Sequence, residues 1–150
     1  MTSKAAVEDF MAQRSLAIVG VSRSGRKFGN MALKTLREKG YQVWPIHRHA
    51  ETLEGERCFP DLKSLPQPVQ GVVISVPPAE TEQVVREAAA AGIRRVWMQQ
   101  GAESEAALRF CQENGLSAVH GECILMFAQP VHSVHRFHHW LWRVLGKLPQ

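Results

Sequence analysis

Ser15-Leu16-Ala17-Ile18-Val19-Gly20-Val21-Ser22-Arg23-Ser24-Gly25-Arg26-Lys27-Phe28-Gly29 begins as a compact apolar run and ends as a loop of glycine, serine and three cations. Its first part, Ser15 to Val21, has the composition of a strand buried on both faces, where alternation disappears because neither face meets water. Its last part leads into Lys27 to Lys39, where Phe28, Met31, Ala32 and Leu36 recur at helical spacing and Gly40 offers a C-cap. A strand that passes through such a loop into a helix is the opening unit of a parallel sheet.

The alternation continues outward from this unit. Met1 to Gln13 reads as an amphipathic helix with Val7, Phe10 and Met11 on one face. Tyr41 to Ile46 is predicted as a second strand, broken at Pro45. Residues 47–70 form a polar, proline-bearing connection with one short helix near Asp61 to Leu65. Gly71 to Val76 is a third strand stopped by Pro77-Pro78, followed by a helix over Thr81 to Ala91 ended by Gly92. Arg95 to Met98, Ser104 to Asn114 and Leu116 to His120 complete the strand–helix–strand series, and a His- and Trp-rich helix is expected over about 131–146.

Strands alternating with crossover helices predict a single α/β domain over 1–150. Its expected fold is Rossmann-like and doubly wound, with a mostly parallel five-stranded sheet and helices on both faces. Ligands of such sheets lie beyond the carboxyl ends of the strands. The loops after Gly20, Ile46, Val76, Met98 and His120 are therefore the places for a site.

With 150 residues, 45% hydrophobic and 21% charged, one core suffices, and disorder or a collagen-like chain is excluded. No apolar run approaches the ~18–20 residues of a membrane span. Lys4, Glu8 and Asp9 interrupt the start, so no secretory signal is expected. The three cysteines, Cys58, Cys111 and Cys123, form no CxxC pair, which fits a reducing cytoplasm. The net charge of +4 favours an anionic partner.

The loop from Gly20 to Gly29 suits a phosphate. Glycines allow close backbone approach, Ser22 and Ser24 add hydroxyls, and Arg23, Arg26 and Lys27 add charge before a helix N-terminus. Gly20-x4-Gly25 followed by Arg26-Lys27 imitates a nucleotide-hydrolase P-loop, but lacks its Lys and its following Ser or Thr. The G-x-G-x-x-G fingerprint also fails, and the second strand ends in Pro45-Ile46-His47-Arg48-His49 where an NAD site needs a carboxylate. A ribose phosphate is better matched than a ribose diol. Two ligands satisfy this: NADP with its 2′-phosphate, and coenzyme A with its 3′-phosphate.

The order IVGVSRSGRKFGN (18–30), GYQVWPIHRH (40–49), CFPDLKSLPQP (58–68), GVVISVPPAET (71–81) and AGIRRVWMQQGAE (91–103) resembles the small single-domain CoA-binding proteins. Their fold is similar to the CoA-binding domain of the succinyl-CoA synthetase α subunit. The resemblance implies that Gly20, Ser22, Arg23, Ser24 and Gly25 meet the CoA phosphates, with Arg26 and Lys27 of the same loop beside them. It implies Pro45, Ile46, His47 and Arg48 along the adenosine 3′-phosphate. Val76, Pro77 and Pro78 would line the adenine or pantetheine groove, with Gln99, Gln100 and Gly101 nearby. Many relatives read Asn-Pro where this chain has His47-Arg48. The synthetase's phosphorylated histidine belongs to a separate second domain, so synthetase activity is not implied.

No catalytic set is expected. His120-Gly121-Glu122-Cys123 lacks the later Pro-Cys-x-x-Cys of a zinc deaminase. Cys123 is read as core in preference to a nucleophile assisted by His120, and Glu122 as a supporting residue. His132, His135, His138 and His139 have no carboxylate or cysteine beside them, and no metal site is assigned. Phe137, Trp140, Leu141 and Val144 make that helix a candidate homodimer contact. Nucleic acid is unsupported, because no long basic stripe interleaves with aromatics. The expected function is binding of CoA or acyl-CoA as a non-catalytic or regulatory module. The alternatives are an NADP-dependent oxidoreductase and a protein-interaction module acting through the terminal helix.

Overall fold

A computed structural model describes residues 3–53 and 56–128. In chain order these form α1 (Lys4–Met11), β1 (Ser15–Val19), α2 (Phe28–Glu38), β2 (Gln42–Ile46), β3 (Thr52–Leu53), β4 (Glu56–Arg57), β5 (Gly71–Ile74), α3 (Pro78–Ala90), β6 (Arg95–Gln99), α4 (Glu105–Glu113) and β7 (Ser117–Glu122). The helix expected over about 131–146, with its histidines and its dimer contact, lies outside the described residues. No helix among the described residues is long and apolar enough to cross a membrane.

β2-β1-β5-β6-β7 is the strand order, and every neighbouring pair in that sheet is parallel. The first crossover runs outward from β1 to β2, and the next returns across β1 to β5. The order therefore reverses between β1 and β5, which sets the ligand crevice of a doubly wound sheet beyond the carboxyl ends of those two strands.

Alternate side chains of the buried strands feed two cores. On one face Leu16, Ile18, Val43, Val73, Trp97 and Val119 pack with Val7 and Phe10 of α1 and with Ala32, Leu33 and Leu36 of α2. On the other, Ala17, Ile46, Val72, Ile74, Val96 and Met98 pack with Val84, Val85 and Ala88 of α3 and with Ala107 and Cys111 of α4. Trp97 is fully buried, with Phe10 edge-on at 5.4 Å and Phe127 at 5.8 Å. Helices α2, α3 and α4 each end with a bond back across the last turn, Tyr41 N–H to Leu36 O, Ile93 N–H to Ala88 O and Leu116 N–H to Cys111 O. The glycines predicted as their caps make these reversals possible.

Pro45 does not break its strand. β2 is an edge strand, and the Pro45 carbonyl faces outward, accepting from Phe59 N–H at 3.1 Å. The N–H that proline lacks would point the same way, so the ladder to β1 loses nothing. The outer edge is also covered by Arg37 of α2, whose guanidinium bonds the Val43 carbonyl at 2.6 and 3.1 Å and pairs with Glu56. Antiparallel β3 and β4 stand in the connection that reads from sequence as loop, and the helix expected there is one short 3₁₀ turn, Leu62–Ser64. β7 runs on to Glu122 through an irregularity in its pairing with β6.

Candidate functional site

At the point of strand reversal the backbones of three elements touch. Gly20 leaves β1 with φ +121°, and a Cβ there would lie 2.6 Å from the Ser75 carbonyl carbon at the end of β5. Gly29, in the first turn of α2, packs just as closely, its Cβ position being 2.7 Å from the Gly20 carbonyl carbon. The Ser75 N–H closes the contact on the Val19 carbonyl at 2.8 Å. Both glycines are steric requirements of the crossing, and the loop between them is held at each end.

Its interior is tied by Asn30, whose part the sequence pattern alone does not reveal. Asn30 is buried, and its side chain accepts from Ser22 N–H at 2.9 Å, donates to Ser22 O at 3.0 Å and receives Ser22 Oγ at 3.3 Å. Ser22 to Gly25 makes a turn closed at 3.2 Å, and the Ser22 and Ser24 hydroxyls lie 2.9 Å apart. Arg26 N–H donates to Ser24 Oγ at 3.3 Å. Arg23, Ser24, Arg26 and Lys27 are exposed. The N-termini of α1 and α4 are capped by the side chains of Ser3 and Ser104, whereas those of α2 and α3, beside the crossing, begin at Lys27 and Pro77 with no side-chain cap. Uncapped first-turn N–H groups and the helix dipole make the α2 end receptive to negative charge, whereas α3 opens on Pro78, which has no N–H, and carries Glu80 in its first turn.

The loop after β2 joins this one. Arg23 Nη2 donates to the His49 carbonyl at 2.5 Å, a strap between the loops. His47 Nδ1 accepts from His49 N–H at 3.1 Å and from Ala50 N–H at 3.0 Å. Burial, reinforced by Arg23, His49 and Lys27, holds the His47 pKa below the ordinary histidine value. His47 thus brings a neutral ring to the site, in place of the cation its sequence suggests. Arg48 turns away, paired with Glu87 of α3 at 3.1 Å. Arg23 and Lys27 converge with His47, and Arg48 does not. Pro45 and Ile46 are buried at the end of β2.

On the other side of the crossing Val76 is half-buried, Pro77 immediately precedes α3 and Pro78 is its first residue. The buried hydroxyl of Thr81, in α3, donates to the Ala102 carbonyl at 2.5 Å and ties the loop after β6 to the same helix. Gln99 is buried and spends its carbonyl oxygen on Ile124 N–H at 3.1 Å, a structural contact. Gln100 and Gly101 are exposed, and the Gly101 N–H donates to the Glu103 carboxylate at 3.0 Å. The Glu122 backbone carbonyl accepts from Trp97 Nε1 at 3.1 Å, and burial raises the pKa of its carboxyl. Cys123 is half-buried and packed against the core. Asp9 is paired with Arg95 at 2.7 Å, and Asp61 Oδ1 accepts from Ser64 N–H. Among the described residues no group of three His, Cys, Asp or Glu could hold a metal ion.

Residues 14–129 match the family described as CoA binding domain. Acetate–CoA ligase [ADP-forming] II of Archaeoglobus fulgidus is 27% identical over 90 residues, which is 59% of this chain and 13% of the ligase. The chain therefore spans a small part of that relative. The uncharacterized protein YneT of Bacillus subtilis is 26% identical over 124 residues, 81% of this chain and 91% of YneT. Among solved structures, a conserved hypothetical protein from Pyrococcus furiosus superposes with a TM-score of 0.70 at 40% identity, covering 74% of this chain and 96% of that one.

Proposed function

The chain belongs to the family of CoA-binding domains, and from that premise we propose that it holds coenzyme A or an acyl-CoA at the β1–β5 crossing as a binding or regulatory module. The observation that carries this reading is the loop from Gly20 to Lys27. It is fixed at both ends by glycine contacts, tied inside by Asn30, and followed by an uncapped helix. Such a loop is organised before a ligand arrives, so little ordering entropy opposes binding. Its backbone N–H groups, the Ser22 and Ser24 hydroxyls and the side chains of Arg26 and Lys27 would receive the phosphates.

Arg23 and His47 would face the 3′-phosphate side, with Pro45 and Ile46 beneath them. Val76, Pro77 and Pro78 would flank the groove for adenine or pantetheine, with Gln100 and Gly101 at its far rim. Gln99 would support that rim from below. Nothing in this arrangement asks for a bond to be made or broken.

Isothermal titration of CoA into the wild-type protein and into the Arg26→Ala, Lys27→Ala double variant tests the reading. The expected result is binding that weakens at least tenfold in the variant and falls with added salt, while urea stability stays within about 0.5 kcal/mol. Equal affinity in the two proteins would remove the loop from the site.

A further inference from the structure

We infer that His47 is a positioning residue: its ring nitrogen holds the turn that presents the His49 carbonyl to Arg23, and a proton on that nitrogen releases the turn. The inference rests on the CoA reading, and deepens it by making ligand affinity depend on one neutral ring.

The geometry is a chain of contacts. Nδ1 accepts two backbone N–H groups, from His49 and Ala50. A nitrogen that accepts carries no proton, so the ring's single proton sits on Nε2, free to donate. The turn closed in this way sets the direction of the His49 carbonyl, which receives Arg23. Arg23 in turn belongs to the Ser22–Gly25 turn that Asn30 fixes. His47 is itself anchored by its own N–H on the Phe59 carbonyl at 2.8 Å.

The charges around the ring favour the neutral form. Arg23 and Lys27 face it from the loop after β1, and the His49 ring stands 6.3 Å away in its own turn. From β4, Arg57 stacks on Phe59, and the neighbouring Arg48 is occupied by Glu87 of α3. The ring's pKa lies below its ordinary value, so the turn is complete above about pH 6.5 and is lost as pH falls through the lowered value. Asparagine in the same place offers Oδ1 at the same bond separation from the backbone, accepts the same two N–H groups and does not titrate.

The test compares the Kd for CoA of wild type, His47→Asn and His47→Ala between about pH 8 and about pH 5. At the upper pH His47→Ala binds roughly tenfold more weakly than wild type, and His47→Asn recovers most of that loss. At the lower pH wild type falls toward His47→Ala, while His47→Asn keeps its advantage. Titration of the ligand's own phosphate is common to all three and cancels in the ratios. A constant ratio of wild type to His47→Asn, or wild-type affinity in His47→Ala at the upper pH, would overturn the inference. Ring ¹⁵N NMR reads His47 without ligand: an Nε2–H tautomer with a lowered pKa supports it, and an Nδ1–H tautomer or an ordinary pKa overturns it. Folded protein with that NMR signature and no CoA binding at the upper pH would defeat the CoA reading, and with it the role of His47 in affinity.

Discussion

Asn30→Ala removes the buried side chain that ties Ser22 of the candidate phosphate loop to α2. Two contacts at 2.9 and 3.0 Å to the Ser22 backbone and a weaker one at 3.3 Å to its hydroxyl disappear together. A net loss of about 0.5–1.5 kcal/mol for each good bond applies, since the half-buried Ser22 recovers part of its hydrogen bonding from water. The cavity left by a buried amide adds a fraction more. The sum is about 2–3 kcal/mol, or roughly 4–12 °C in Tm for a chain of this size. Urea unfolding followed by tryptophan fluorescence measures it, with an unchanged m-value as the sign that the native fold persists. CoA affinity is expected to fall with it, because the Ser22–Gly25 turn is then ordered only on binding. Asn30→Asp separates the two effects. It keeps the acceptor for Ser22 N–H but sets a carboxylate against the Ser22 carbonyl and beside the phosphates, so affinity drops by more than stability does. Stability within about 0.5 kcal/mol of wild type, together with an unchanged Kd, would refute the view of Asn30 as the loop's internal tie.

Gly20→Ala meets both a left-handed φ and the Ser75 backbone, and is expected to cost about 3–5 kcal/mol, read in the same urea titration. Arg48→Ala breaks an exposed pair with Glu87; stability changes by less than about 1 kcal/mol and the Kd for CoA by less than about twofold, measured by titration calorimetry. Burial pushes the Cys111 thiol up to about 11, so iodoacetamide near pH 8 should label Cys123 in the folded protein and reach Cys111 only after unfolding, as peptide mass mapping would show. Because the folded thiol has the raised pKa, its contribution to stability is complete below the ordinary thiol value and fades as pH rises toward about 11.

The parts of this fold that depend on local periodicity are legible in the chain. SLAIV between a polar stretch and a glycine loop reads as a two-face-buried strand because its neighbours cover both sides, and GVVI reads the same way. Pro45 misleads because its meaning depends on which side of β2 has a partner, a fact of topology that periodicity does not carry. The β3–β4 pair has two residues in each strand, too short for any alternation to register.

At the site, the glycines and hydroxyls of the loop are visible by type, but the division of labour among them is not. Asn30 sits where an amphipathic helix alternates, and only the approach of Ser22 distinguishes it from a surface amide. Arg23 and Arg48 look equivalent as cations near phosphate; the structure gives one to the His49 carbonyl and the other to Glu87. His47 reads as a potential cation until its Nδ1 is found accepting two N–H groups. For the two arginines the missing information is a distant partner, and for Asn30 and His47 it is the local turn that brings backbone N–H groups to the side chain.

Thermal unfolding with CoA, NADP and NAD, each supplied under the same conditions, reads out which nucleotide the β1–β5 crossing holds. At a hundred times its Kd a ligand stabilises the folded protein by about 2.7 kcal/mol, roughly 5–11 °C here. CoA is expected to produce that rise and NAD none. A rise with NADP and none with CoA would assign the crossing to NADP and end the CoA reading.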